Sequence, residues 1–377
     1  MPTELLRDAQ PPVTTAAAIA TTKVGNRLAL ADGLRGVAAM WVVLFHAAEG
    51  GHLKLLQASL PSWFVGWVFG HGELGVPIFF VLSGFVMALT VHHAPIDAAH
   101  GLKFIARRLI RLTPPMYFSF AVVIGLGAVK AITAHTAIDL PRWQTLLAHA
   151  TYTHGLADSP ILNPIYWTLG VEVQFYLAFA LLVVWADRIG RADGFRQQRL
   201  AVFVAAGVLS LAWPFNLSSS ALWVGGFLPF WYAFIAGVFA YWANRGVRHA
   251  RTLMWSFFGA LGIAFALHHN YSIGAVLVTA ALLAQSAHWP TLNYWFSWRP
   301  LQFLGTISYS LYLLHNPLTG ATFNLSYRVL PHTLWGELAS FVLVLMVCLL
   351  VSYLAYRLVE KPSIRWSRLV AVRGPSV

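Results

Sequence analysis

The chain has 377 residues, 58% of them hydrophobic and only 10% charged, with a mean hydropathy of +0.65. Soluble domains carry about 25% charged residues, so a water-soluble globular enzyme is excluded and a polytopic membrane protein is expected. The formal net charge of +12 is spread over loops rather than gathered in one domain, which argues against nucleic acid and makes anionic lipid headgroups the default partner.

Residues 1–30 are rich in Thr, Pro and Ala and follow an acidic, proline-containing start, so they read as a disordered cytoplasmic tail rather than a cleaved signal peptide. Beyond them the fold class is all-α, a transmembrane helical bundle of about ten spans. The apolar runs lie near 34–50, 64–91, 113–132, 163–185, 200–215, 222–243, 252–268, 271–289, 301–318 and 336–358, most of them close to the ~20 residues that a spanning helix needs. The seventh and eighth are parted only by His268, His269 and Asn270. With the N-terminus inside, all of the 25 Lys and Arg except Lys54, Lys130, Arg142 and Arg328 fall on the inner side. That asymmetry predicts both termini in the cytoplasm. The membrane domain covers 31–362, and 363–377 is a basic cytoplasmic tail too short for a soluble catalytic domain, so any chemistry is expected in or at the edge of the bundle. The single cysteine, Cys348, has no disulfide partner in the chain and suggests no metal site.

Ionisable residues inside spans are costly and face a cavity, a partner or a substrate path. The first span opens DGLRG and closes LFHA. Arg35 and His46, eleven residues apart, are separated on a helix by about 1100° of rotation and about 16 Å of rise; they share one stripe without touching. Asp32 lies one turn before Arg35, within pairing reach. Read blandly, Arg35 is a snorkelling anchor and His46 an interfacial side chain. In the second span Gly72, Gly75, Ser83 and Gly84 are small residues suited to close helix packing. Arg107, Arg108 and Arg111 then crowd the inner end of the third span, with Pro114 and Pro115 expected to break or reset the helix. Arginine forks suit phosphate oxygens, and positive-inside anchoring is the alternative. The fourth span opens IYWTLGVEVQFY, with Glu172 placed near the outer end beside Trp167, a residue that also fits an interfacial belt. The ninth span carries Tyr309, Tyr312, His315 and Asn316. By this topology His46, Glu172 and His315 converge near the outer leaflet.

Together the segments DGLRGVAAMWVVLFH, GVPIFFVLSGFVM, RRLIRLTPPMY, NPIYWTLGVEVQFY, LGTISYSLYLLHNP and YRLVEKP resemble the bacterial acyltransferase-3 family of integral membrane O-acyltransferases. They run in the family's order from Asp32 to Pro362. Departures are small: Ala31 stands where leucine is usual, Thr168 where serine is, and Thr113 where a bulkier residue is. Some relatives carry an extra span and an extracytoplasmic esterase-like domain, and this chain stops short of both. The resemblance implies a ten-helix enzyme of the bacterial inner membrane. It would move an acyl group, usually acetyl, from cytoplasmic acyl-CoA as co-substrate to a hydroxyl of a carbohydrate or glycolipid acceptor, such as a cell-surface or exopolysaccharide unit. By matching position, His46 would be the catalytic histidine, Arg35 its essential partner, and Arg108 and Arg111 the pair that holds CoA phosphates, with Arg107 beside them. Asp32, Trp167, Tyr309, His315 and Asn316 would line the substrate path. Neutral imidazole suits removal of the acceptor proton, with Glu172 or another carboxylate orienting it. No G-x-S-x-G elbow and no candidate cysteine nucleophile appear. The competing class is a transporter or proton-coupled exporter, in which the same groups form a relay; a non-catalytic scaffold ranks behind both.

Overall fold

The structure, a computed structural model, describes residues 16–92, 94–157, 159–189, 194–219 and 225–370, with side chains from residue 29 onward except that of Pro290. In chain order the helices are α1 (Ala16–Glu49), α2 (Lys54–Ala58), α3 (Ser62–Val68), α4 (Gly75–Thr90), α5 (Ala98–Thr133), α6 (Trp143–Ala150), α7 (Trp167–Ile189) and α8 (Phe195–Ser210). They continue with α9 (Trp231–Asn244), α10 (Ala250–His268), α11 (Tyr271–Gln285), α12 (Pro290–Phe296), α13 (Arg299–Ser326), α14 (Leu334–Ala355) and α15 (Lys361–Leu369). No strand occurs among the described residues.

Each of the ten expected segments carries a helix. Among the described residues six helical stretches are long and apolar enough to cross a membrane: Ala29–Glu49, Ser62–Thr90, Ala98–Thr133, Pro164–Ile189, Ala250–His268 and Leu334–Leu369. The remaining segments miss for identifiable reasons. α9, with 14 residues, is only about 21 Å long, yet every residue from Trp231 to Ala243 is buried, as expected of a helix that is apolar all round. α13 has the length, with 28 residues, but carries the polar stripe that builds the site. Residues 1–15 of the expected tail lie outside the described residues, and from Ala16 the backbone is helical rather than unstructured. This stretch holds no proline and many good helix formers. At the other end α15 occupies 363–369 of the expected basic tail, and 371–377 lie outside the described residues.

The proline pair does not break its helix. α5 runs through Pro114 and Pro115 for 36 residues, because the Arg111 carbonyl, deprived of its usual donor by Pro115, accepts a hydrogen bond of 2.9 Å from the Ser363 hydroxyl of α15. The same device recurs in α13. Pro317 leaves the Leu313 carbonyl without its donor, and Ser119 Oγ of α5 donates to it at 2.9 Å. Neighbouring helices thus complete the backbone hydrogen bonding that proline removes.

Small residues set the register around the site. α1 and α13 run parallel, meeting at Gly36 and Gly305. A Cβ on Gly305 would lie 2.0 Å from the Asp32 carbonyl oxygen. Gly84 of α4 approaches α9 as closely, a Cβ there lying 2.0 Å from the Phe234 carbonyl. The expected packing role of these small residues therefore holds for Gly84, and Gly72 and Gly75 press in the same way on α1. Ser83 is the exception, and its hydroxyl belongs to the site.

Candidate active site

At the centre of the bundle α1, α4, α5, α7 and α13 enclose a cavity of about 700 Å³, counting its mouth, lined by Arg35, Arg108, Arg111, Glu172, Tyr176 and Tyr309 among others. Three guanidinium groups therefore face one carboxylate, and that carboxylate is already engaged. Ser83 Oγ donates to Glu172 Oε1 at 2.6 Å, and the Tyr176 hydroxyl donates to the same oxygen. Arg108 stacks over Tyr176 at 5.5 Å and over Phe104 at 5.8 Å, and Arg111 Nε is buried without a partner. Among the described residues none of the three arginines comes within 4.0 Å of a carboxylate oxygen. The one Arg–Asp pair so formed, Arg199–Asp187 at 2.6 Å, clamps a loop elsewhere by also donating to the Val91 and Ala94 carbonyls. Unpaired cations in a low-dielectric interior are expensive, and an anionic occupant relieves that cost.

Tyr312 stands between the cavity and the histidines, its ring 5.8 Å from that of His315. It lines the cavity, shares a 2.9 Å hydrogen bond with Thr168 Oγ1, and packs on Phe79 at 5.7 Å between ring centroids. One turn above, His315 Nδ1–H donates to the Tyr312 carbonyl at 2.7 Å. This leaves Nε2 as the unprotonated nitrogen, buried and without a partner. The His315 ring lies 5.1 Å from that of His46. His46 Nδ1 is 2.8 Å from Glu49 Oε2; a carboxylate only accepts, so Nδ1 carries a proton, and in the neutral imidazole Nε2 is the nitrogen with the lone pair.

The structure thus groups the expected residues differently from the linear reading. His46 and His315 come together, whereas Glu172 joins Arg35, Arg108 and Arg111 deeper in the bundle. The reason is the start of α7 at Trp167: Thr168 sits level with Tyr312, and Glu172 is one further turn down. The carboxylate that orients His46 is Glu49, missed in the sequence although its i+3 spacing was a usable signal. Tyr309 faces the cavity and donates to the Leu112 carbonyl at 2.8 Å. Asn316 donates to Asn163 Oδ1 at 3.2 Å, beside the path rather than in it. Trp167 lies outside the arginine cavity and packs on Phe230 at 5.1 Å. Arg107 does not line the cavity. Asp32 is half-buried at the α1–α13 contact and forms no ion pair with Arg35, because its backbone is pinned against Gly305.

Polar, ionisable groups buried inside a bundle of apolar helices define a multi-pass membrane protein. The sequence profile of the acyltransferase-3 family, described as an acyltransferase domain, matches residues 29–370, and the chain belongs to that family. It is 24% identical over 366 residues to O-acetyltransferase OatA of Staphylococcus aureus, covering 88% of this chain and 56% of that protein. With the putative membrane-bound transacylase BcsY of Komagataeibacter xylinus it shares 28% identity over 376 residues, 92% of this chain and 86% of that protein. A shorter match joins it to "Regulator of hypoxia-inducible factor 1" of Caenorhabditis elegans, 29% identical over 171 residues, 41% of this chain and 34% of the other. The chain spans about a third of the nematode protein and just over half of OatA. No solved structure matches.

Proposed function

We propose that this protein is a membrane O-acyltransferase that moves an acyl group, by default acetyl, from acyl-CoA to a hydroxyl of a carbohydrate acceptor such as a cell-surface or exopolysaccharide unit. In this reading the chain spans the inner membrane of a bacterium ten times with both termini in the cytoplasm. The observation that carries it is the cavity itself: three arginines without a paired carboxylate line it, and Tyr312 in its wall packs on His315, whose ring lies against that of His46. Acyl-CoA is a thioester whose carrier bears several phosphates. Arg35, Arg108 and Arg111 supply bidentate donors for those phosphates, and the pantetheine arm reaches up the cavity toward Tyr312.

The chemistry follows from the protonation states. His46 Nε2 takes the proton of the acceptor hydroxyl as its oxygen attacks the thioester carbonyl, and Glu49 stabilises the imidazolium that forms. The tetrahedral intermediate collapses, the C–S bond breaks, and the departing CoA thiolate takes up the proton from His46. An ester and free CoA result, with no net proton gained or lost. Cys348 plays no nucleophilic part in this scheme; it is buried behind α13, with Sγ 3.8 Å from Thr319 Oγ1. The test is mass spectrometry of surface glycans from cells lacking the protein and from cells complemented with wild type or His46→Ala. The wild type restores an acyl mass increment and the variant does not; an increment fully restored by His46→Ala refutes the assignment.

A further inference from the structure

A second cavity opens at the end of the bundle where His46 lies. It encloses about 1400 Å³, counting its mouth, roughly twice the arginine cavity. Three connections meet there: the turn Gly72–Leu74 before α4, the segment after α8, and the α10–α11 connection. The first fixes its level, because Gly72 lies so close to α1 that a Cβ would stand 2.3 Å from Phe45 Cβ, beside His46. Its floor is aromatic, with Trp167, Trp213 and Phe230, and its rim is polar, with Glu73, Asn216 and Asn270. No Lys or Arg is among the residues lining it. Trp167 and Phe230 pack on each other at this cavity, which separates them from a lipid-facing interfacial belt.

The lining selects an occupant. The cavity offers no positive charge to a phosphate and sets the Glu73 carboxylate at its rim, in contrast to the arginine cavity. Its polar rim of carboxylate and amide groups suits a ligand with many neutral hydroxyls, and aromatic faces pack on the C–H faces of a pyranose ring. The two cavities also share a wall. Val76 and Phe80 line both, on the first turns of α4, where Gly75 packs on Ala38 and Val42 of α1 and Phe79 packs on Tyr312. A hydroxyl in one cavity and a thioester in the other would be parted by two side chains.

We propose that this vestibule is the acceptor subsite and that it binds neutral saccharide, presenting a ring hydroxyl toward Val76 and Phe80. The proposal rests on the acyltransferase reading above and adds to it where the acceptor sits. Saturation-transfer NMR on the full chain in nanodiscs tests it, with methyl β-glucoside, methyl α-mannoside, methyl N-acetyl-β-glucosaminide and cellotetraose as probes. At least one probe gives a saturable signal that weakens tenfold or more in Trp213→Ala and in Ser218→Trp, the second filling the cavity without removing packing. CoA affinity, measured by calorimetry on the same samples, stays at the wild-type value and reports that both variants are folded. No saturable signal from any probe, or equal signals from wild type and both variants, overturns the subsite. Loss of saccharide binding in these variants together with full glycan acylation by His46→Ala instead leaves the subsite standing and removes the catalytic reading.

Discussion

Arg111→Met puts the arginine cavity to a test in which stability and binding move in opposite directions. In the empty protein Arg111 faces Arg35 and Arg108 with no carboxylate within ion-pair distance, and its Nε has no partner. Replacing a buried ionic group by an apolar one of similar volume stabilises proteins by about 1–4 kcal/mol, so the unliganded variant should melt a few degrees higher than wild type. Binding pays in the other direction: a hydrogen bond to a charged group contributes about 1.5–3 kcal/mol, which is about a 10- to 150-fold loss of CoA affinity. Thermal shift in detergent reads the first effect and calorimetric titration with CoA the second. Dephospho-CoA supplies a control, since removal of a phosphate should weaken wild type more than the variant. A lower melting temperature for Arg111→Met combined with undiminished CoA affinity refutes the assignment of the cavity to an anionic ligand, because the arginine would then be stabilising the empty fold.

Glu49→Gln keeps the geometry at His46 and removes the charge. The Glu49 side chain is 60% exposed, so the pair is screened, and the expected loss is about 5- to 30-fold in kcat, corresponding to about 1–2 kcal/mol. KM for acyl-CoA stays unchanged, and the deficit narrows in high salt; steady-state kinetics at two ionic strengths checks both. Ser363→Ala strips the Arg111 carbonyl of its donor and should cost about 1–3 kcal/mol in a melting assay. In a double-mutant cycle with Pro115→Ala much of that cost disappears, because the restored amide takes the serine's place. His154, outside the spans and stacked on His149 at 4.3 Å, is pushed down to about 4 from its ordinary 6.5, first by burial and then by the neighbouring His149. The fold therefore favours its neutral form. The stability it contributes is full above pH 6.5 and is lost as the pH falls toward 4; melting curves across that window should fall for wild type and flatten for His154→Gln.

The sequence exposed the apolar helices because membrane solvation leaves its mark on every residue of a helix, though among the described residues only six of them reach spanning length and hydropathy, and it exposed Arg35, His46 and His315 because polar groups in such helices are conspicuous. It misplaced Glu172 because depth in the bilayer depends on where α7 starts, and a shift of a few residues moves a side chain by a turn. The unbroken path of α5 through Pro114 and Pro115 was hidden because the group that repairs it, Ser363, is 252 positions away from Arg111. The vestibule was hidden for a related reason. Its lining comes from connections scattered between Glu73 and Ser272, none of which forms a motif alone. Glu49 is different: it stands three residues after His46, inside the expected first span of 34–50, so its pairing with the histidine was legible from spacing alone.

The parallel contact between α1 and α13 gives the eleven-residue spacing of Arg35 and His46 its physical meaning. The helices are locked where Gly36 meets Gly305, so the arginine end of α1 faces Tyr309 and the histidine end faces His315 in fixed register. A slide of one helix past the other would break both ends together, and the close backbone approach at Gly305 leaves no room for it. The distance between the Arg35 guanidinium and the imidazoles of His46 and His315 is thus set by a rigid pair of helices. Movement during turnover must be sought in the side chains that close the cavity, Tyr312, Phe79, Val76 and Phe80. Rotamer changes there are fast and local; Val76 and Phe80 line both cavities, and Tyr312 stands between the arginine cavity and His315. A stiff ruler with a soft partition is consistent with a site that brings together a long anionic donor and a separate neutral acceptor.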